Sequence, residues 1–301
     1  MSDKKPKVLV IVGPTASGKT SLSIALAEKY NGEVISADSR QVYTGMDIGS
    51  GKVTAAEMGT VPHHLLDVAN PMDIYNASDF KRDGSKALSG ILKNNHLPII
   101  AGGTFFYIDM LLGRTSSPEV PPNEALRNEL EQLPSEALYE KLEALDPERA
   151  EMMDPKNARR LVRALEIVDA IGKVPKVEML ETYDVLTLGI TTPKEQLHKN
   201  IHIRLHQRLD EGMQAEVETL LAQGVTHKRL EDLGLEYRYL SRHLRGELSY
   251  DEMTKQLETK TRQFAKRQMT WLKKDPSIVW VEKNDFEHVF KVVSNWLTQT
   301  A

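Results

Sequence analysis

The sequence contains no cysteine. Disulfides and thiolate metal centres are therefore excluded. It lacks any apolar run long enough for a membrane span, and nothing before Val8 has the apolar core of a secretion signal. A cytoplasmic protein with no membrane partner is expected. Internal repeats and low-complexity tracts are also missing. What remains is a globular chain of 301 residues, enough for one large domain or a domain with an insert. An excess of basic charge is lacking as well. The formal net charge is −4, which by itself argues mildly against a nucleic-acid partner.

The charge that is there is unevenly placed. From Thr254 to Lys274 the residues Lys255, Lys260, Arg262, Lys266, Arg267, Lys273 and Lys274 face a single acid, Glu258. "NARRLVRALE" gathers Arg159, Arg160 and Arg163 within about a turn. A solvated charged face is the usual explanation of one such run. Two of them, in a chain of net negative charge, favour a polyanion partner.

The strongest local signal is "VLVIVGPTASGKTSLSIALA". Val8 to Val12 is an apolar, mostly β-branched run suited to a strand buried on both faces. Gly13, Pro14, Thr15, Ala16, Ser17, Gly18, Lys19 and Thr20 then fit the phosphate-loop pattern, followed by a helical pattern. Backbone N–H groups at the start of that helix point at an anion. Lys19 adds a positive charge, and Thr20 offers a hydroxyl to a magnesium ion on the phosphates. The loop specifies a polyphosphate without saying which.

Strand and helix patterns alternate through the first third. Strands are expected at 33–36, 64–68 and 97–101, and helices at 77–94 and 104–112. This predicts an α/β fold, a parallel sheet flanked by helices. A Pro- and Ser-rich loop follows Gly113. Helical patterns punctuated by Pro134, Pro147 and Pro155 then run to about Tyr183, which predicts a helical insert at 114–183 between two core segments, 1–113 and 184–301. A strand at 185–191, helices at 193–223, 233–244 and 250–274, a strand at 278–281 and a helix at 285–298 complete the expectation. On the 250–274 helix, Leu257, Phe264 and Trp271 form an apolar series expected to face the core.

Other candidates are less decisive by position alone. Asp38 ends the second strand, where open α/β sheets hold their ligands. It suits a general base, a magnesium ligand or a plain turn residue. Asp67 competes as a magnesium-binding carboxylate. Thr104 stands behind Gly102-Gly103, and helix capping is its plainer reading. His63, His64, His198, His202 and His206 are read as solvated or core-edge residues; the last three are spaced four apart along one helix but without nearby carboxylate support for a metal.

Several longer segments carry a resemblance. "GPTASGKT", "DSRQVY", "MDIGSGK", "AGGTFFYIDMLL", "RALEI", and "AKRQMTWLK" occur in this order over essentially the whole chain. Together they closely resemble the tRNA dimethylallyltransferases. The resemblance implies a P-loop NTPase-like core and transfer of a dimethylallyl group from its diphosphate to N6 of adenine 37 in the tRNA anticodon stem-loop. The loop would then hold a leaving diphosphate, with magnesium as cofactor. Asp38 matches the family's general base, Thr104 its threonine near the reacting amine, and Arg204 its diphosphate arginine. Contacts to tRNA carry over to Asp38, Ser39, Arg40, Gln41, Thr104, Arg127, Arg159, Arg160, Arg163, Tyr237, Arg238, Lys266, Arg267, Gln268 and Lys273. A monomer is expected.

The chain also departs from that pattern. Ser50-Gly51-Lys52 stands where Thr-Ala-Lys is usual, Phe105 replaces a common Gly, and Glu236 occupies a position where Gly is expected. Asp154-Pro155-Lys156-Asn157 replaces His-Pro-Asn-Asp. The alternatives are an adenylate isopentenyltransferase acting on free nucleotides, an ATP-dependent kinase or NTPase, and a non-catalytic RNA binder. The insert and basic helix argue against the first, "DSRQVY" against the second, and the set Lys19, Thr20, Asp38, Thr104 and Arg204 against the third.

Overall fold

The computed structural model describes residues 5–115, 118, 120–175 and 182–299. The helical pattern expected at 176–181 lies outside the described residues, as do positions 116, 117 and 119 of the preceding loop. The chain divides into two compact units, Met1–Gly113 with Glu181–Ala301, and Arg114–Leu180.

In the first unit, β1 (Lys7–Val12), α1 (Lys19–Tyr30), β2 (Gly32–Ala37), α2 (Ala55–Met58), β3 (His63–His64), α3 (Ala77–Lys93), β4 (Leu97–Gly102) and α4 (Phe105–Leu111) come first. The second unit holds α5 (Glu124–Leu130), α6 (Ser135–Leu145), α7 (Pro147–Glu151) and α8 (Ala158–Ile171). The first unit resumes with β5 (Asp184–Thr191), α9 (Lys194–Asp210), α10 (Met213–Ala222), α11 (His227–Asp232) and α12 (Leu235–Leu244). It closes with α13 (Tyr250–Leu272), β6 (Val279–Glu282) and α14 (Phe286–Thr298).

The strands form one parallel sheet in the order β3-β2-β4-β1-β5-β6. β1 lies inside it and is apolar on both faces, which is why its sequence does not alternate. Val8, Val10 and Val12 pack with Phe80 and Leu88 of α3 and Ile108 of α4. Leu9 and Ile11 point the other way, to Leu22 and Leu26 of α1 and Val289 and Val293 of α14. A third apolar cluster joins Val42, Tyr43 and Met46, which follow β2, to α9–α13 through Leu205, Val217, Leu240 and Leu257. That packing carries the C-terminal helices to the phosphate-loop end of the sheet. α3 and α13 begin with capping boxes at Asn76 and Ser249. Each such cap stabilises its helix by about 1 kcal/mol.

Three expectations are corrected. The helix expected at 193–223 is two, because Gly212 adopts φ 98° and turns the chain between α9 and α10. The third strand has only His63 and His64, since Leu65 and Asp67 take positive φ, 64° and 56°, which ends an extended run. On α13 the buried face is Met253, Leu257, Ala265, Gln268 and Leu272, while Phe264 and Trp271 are exposed. A strict seven-residue series drifts about 20° per repeat around a straight helix, so it leaves the core side.

The second unit has its own core, built from Leu138, Leu142, Ala150, Leu161 and Leu165. Pro134 caps α6 and Pro147 opens α7, positions where the missing N–H costs nothing. Glu166 on α8 is buried. It accepts hydrogen bonds from Arg127 Nη2 at 2.8 Å and Asn123 N at 3.0 Å.

Candidate active site

The phosphate loop joins β1 to α1 and is braced from two helices. Thr15 N donates to Gln268 Oε1 of α13 at 2.9 Å, and Asn200 Nδ2 of α9 donates to Ala16 O at 3.1 Å. Lys19 folds back on the loop, with Nζ donating to Pro14 O at 2.9 Å and Gly13 O at 3.1 Å. Burial pulls the Lys19 pKa down to about 8; the Arg204 charge pushes the same way, and Asp38 opposes both. Among the described residues, Ser17 Oγ is buried without a hydrogen-bond partner and the hydroxyl of the exposed Thr20 has none. The loop thus carries polar groups that an anion and its counter-cation would satisfy.

Asp38 follows the carboxyl end of β2. Its Oδ1 accepts from Arg40 N at 2.8 Å and Gln41 N at 3.4 Å. One oxygen therefore shapes the turn, and Oδ2 accepts nothing among the described residues. β4 brings Thr104 beside it. Gly102 makes this approach possible, because a Cβ there would lie 2.1 Å from Ala37 O. Thr104 N donates to Ala37 O at 3.1 Å, and Thr104 Oγ1 accepts from Ser39 N at 3.0 Å. The hydroxyl does not cap α4, so the plainer sequence reading of Thr104 is corrected.

Arg204 lies on α9, one helical turn beyond Asn200 and on the same face. Much of Arg204 is open to solvent, yet protein crowds its guanidinium. That desolvation, then the charge of Arg208, draws its pKa down to about 10. Arg208 Nη1 donates to Gly49 O at 3.3 Å and lies 3.7 Å from Glu236 Oε1. Burial pushes the Glu236 carboxyl up, against the pull of Arg208 and with a push from Asp38. Lys19, Asp38, Arg204, Arg208 and Glu236 therefore share one electrostatic neighbourhood.

Several residues expected at RNA are engaged inside the protein. Tyr237 is fully buried, and its hydroxyl donates to Glu216 Oε1 at 2.9 Å. Gln268 bridges the phosphate loop to Gly103 O, at 3.3 Å. Gln41 donates to Gly51 O at 3.1 Å and accepts from Ser36 Oγ at 2.8 Å. Arg238 Nη2 donates to Glu231 O at 2.6 Å. Arg127 and Arg163 surround Glu166, and Arg163 Nη2 also donates to Val120 O at 2.8 Å. Arg159, Arg160, Lys266, Arg267 and Lys273 are exposed. On α13, Gln263, Lys266, Arg267, Thr270, Trp271 and Lys274 line an open basic groove. Phe105 stacks on Trp271 at 4.6 Å with the rings 5° apart, so this departure ties α4 to the basic helix.

Asp67 pairs with Lys52 at 2.5 Å, as Asp47 does, which makes Lys52 a clamp of that loop and takes up the Asp67 carboxylate. His202 and His206 do gain a carboxylate that the sequence hid, Glu258 of α13, 3.1 Å from His202 Nδ1. Arg262 already holds the other oxygen of Glu258. The residues that sequence reasoning missed are Asn200, which its spacing four residues before Arg204 could have flagged, and Arg208, which the same spacing places after it.

A parallel sheet with this loop at the end of its inner strand defines a P-loop NTPase-like α/β protein. The IPP transferase family profile matches residues 41–275. The chain is 40% identical to tRNA dimethylallyltransferase 1 of Syntrophotalea carbinolica, covering 98% of each. It is 44% identical to tRNA dimethylallyltransferase 1 of Geotalea daltonii, over 88% of this chain and 85% of that one. Among solved structures, the full-length tRNA isopentenylpyrophosphate transferase of Bacillus halodurans matches with a TM-score of 0.73 at 33% identity, covering 98% and 96% of the two chains. A eukaryotic dimethylallyltransferase acting on tRNA matches with a TM-score of 0.79 at 27% identity, over 97% of this chain and 76% of that one. The chain belongs to the IPP transferase family, that of the tRNA dimethylallyltransferases.

Proposed function

We propose that this protein transfers a dimethylallyl group from dimethylallyl diphosphate to N6 of adenine 37 in the anticodon stem-loop of tRNA. The observation that carries this reading is the pairing of two half-sites: a phosphate loop with Lys19 and Arg204, and the Asp38–Thr104 turn beside it. An exocyclic adenine amine is a poor nucleophile and must lose a proton as it attacks. Asp38, with Oδ2 free of hydrogen bonds among the described residues, takes that proton. The bond from N6 to the allylic carbon forms as the carbon–oxygen bond to diphosphate breaks. Charge builds on the departing oxygens, and Lys19, Arg204 and the loop N–H groups meet it. Thr104 keeps the Asp38 turn in place through Ser39.

Magnesium fits the loop, because it takes oxygen ligands and is bound through few protein atoms plus substrate phosphates. Thr20 would hold it, and when bound it would supply further charge neutralisation for the diphosphate. An adenine stacked in a loop is out of reach of a cleft, so the base would be extruded to react. The exposed arginines Arg159 and Arg160 and the groove of Lys266, Arg267 and Trp271 offer cations and an aromatic face to the RNA. We place this activity in the cytoplasm, carried by a monomer. No helix among the described residues is long and apolar enough to cross a membrane.

The test is incubation with dimethylallyl diphosphate and unmodified tRNA, followed by nucleoside mass spectrometry. A prenylated adenosine supports the reading. Product with AMP and none with tRNA would replace it by nucleotide prenylation.

A further inference from the structure

Two arginines of α9 converge on one glycine. A Cβ at Gly51 would lie 1.7 Å from Arg208 Nη2 and 3.1 Å from Arg204 Nη2. Gly51 adopts φ 62°, and both guanidiniums use the space a side chain would fill. Arg208 and Arg204 sit one turn apart on α9, so their charges repel at short range. Arg208 is largely covered, with 16% of its side chain exposed, which limits screening by water. Its counter-ion is Glu236, at 3.7 Å, and Glu236 is itself three-quarters covered. Asp38 and Arg40 complete the set of charges acting on Glu236, and Glu57 acts on Arg204. One side chain, Arg208, lies against both Gly51 and Glu236.

We propose that Arg208 and Glu236 form a charge-setting pair for the donor site: Arg208 backs Arg204 from behind, and Glu236 limits how much positive charge the diphosphate meets. This rests on the reading that the loop takes a prenyl diphosphate. Arg208 is a positioning residue, since it acts on the donor through Arg204. The pair contributes no net charge when intact. Removing the carboxylate leaves one uncompensated positive charge near the leaving group. Removing the guanidinium leaves one uncompensated negative charge there, beside Asp38. Donor affinity must therefore move in opposite directions in the two variants.

The test measures the affinity of the full chain for dimethylallyl diphosphate and for inorganic diphosphate by calorimetry, and the donor KM and kcat with tRNA. Glu236→Gln is expected to tighten both diphosphates by about threefold to tenfold, and Arg208→Gln to weaken them by a similar factor, the scale of one partly screened charge. Arg208→Lys should recover part of the loss. The double variant Arg208→Gln with Glu236→Gln should return toward the wild type, an outcome that mere structural damage does not produce. Thermal melts of all variants separate misfolding from charge effects. Equal weakening in both single variants, or donor affinity unmoved in folded variants, overturns the proposal. A wild-type chain that binds neither diphosphate would instead remove the reading of the loop on which the proposal rests.

Discussion

Thr104 Oγ1 accepts a hydrogen bond from Ser39 N at 3.0 Å, across a gap of 65 residues. This contact joins the turn after β4 to the turn that carries Asp38. It makes the hydroxyl part of the support of the Asp38 turn and not a helix cap. Thr104→Ala leaves that partly buried N–H without its acceptor, a cost of about 1–3 kcal/mol. We expect kcat to fall by about tenfold to a hundredfold, with donor KM near that of the wild type, and Thr104→Ser to restore most of the rate. Unchanged kcat in the alanine variant would separate this contact from catalysis.

Asp38→Asn tests the proposed general base with little structural damage. The asparagine oxygen can still accept from Arg40 N and Gln41 N, as Asp38 Oδ1 does. Single-turnover transfer should slow by about 10²–10⁴, the usual worth of a general base. The circular-dichroism melt and tRNA affinity should stay close to the wild type. A near-normal rate would remove Asp38 from the proton transfer.

Lys19 predicts a proton-linked donor affinity. Its pKa near 8 means that above that pH the free protein has largely lost this charge. A bound diphosphate favours the charged form, so binding takes up a proton as pH approaches and passes 8. Calorimetry in buffers of different ionisation heat should show uptake near pH 8, little well below it, and none in Lys19→Ala. Affinity should fall as pH rises through this range. A pH-independent affinity would place the diphosphate away from Lys19.

These three groups differ in how readable they were. Lys19 was legible because its glycines and hydroxyls stand at fixed spacing, and Asp38 because a strand pattern ends just before it. For Thr104 only the helix-cap reading from position gives way, since nothing local shows that its oxygen reaches Ser39. Gln268 and Thr15 meet across 253 residues, and Arg208 and Glu236 across two helices; no local pattern encodes such meetings. The alternation of strand and helix read well because parallel strands are locally apolar. The run at 64–68 does not show where its strand ends, because two residues with positive φ stop it, and 193–223 reads as one helix because a single glycine carries the break.

Glu33 is expected to set an acid limit on stability. It accepts from His64 Nε2 at 2.6 Å and from His96 Nδ1 at 2.5 Å, joining β2 to β3 and to the residue before β4. Burial raises its pKa, but the two hydrogen bonds and the histidine charges outweigh that, and the net value lies below the ordinary 4.5. A carboxyl with a depressed folded value contributes stability that is fully present above its unfolded value. That contribution is lost as pH falls from 4.5 through the folded value. Thermal melts should therefore drop steeply across this window. Glu33→Gln should melt lower at neutral pH and show a shallower acid slope. A parallel acid slope in the variant would contradict the role of this carboxylate.

RNA binding should fall steeply with salt. Neutralising Lys266 or Arg267 should reduce the slope of log affinity against log salt by about 0.7–0.9 each, if each touches one phosphate. Donor affinity should not change, since neither side chain contacts the loop. Unaltered slopes in both variants would mark the α13 groove as a solvated surface.

The central claim is transfer of a prenyl group with its diphosphate discarded. The most direct measurement follows labelled dimethylallyl diphosphate in a single turnover with two anticodon stem-loops, one carrying adenine at position 37 and one a purine without the exocyclic amine. The account predicts diphosphate release in step with prenyl transfer on the adenine stem-loop, and neither product with the other. Prenylation that ignores position 37, or release of monophosphate from a nucleoside triphosphate in place of transfer, would contradict it.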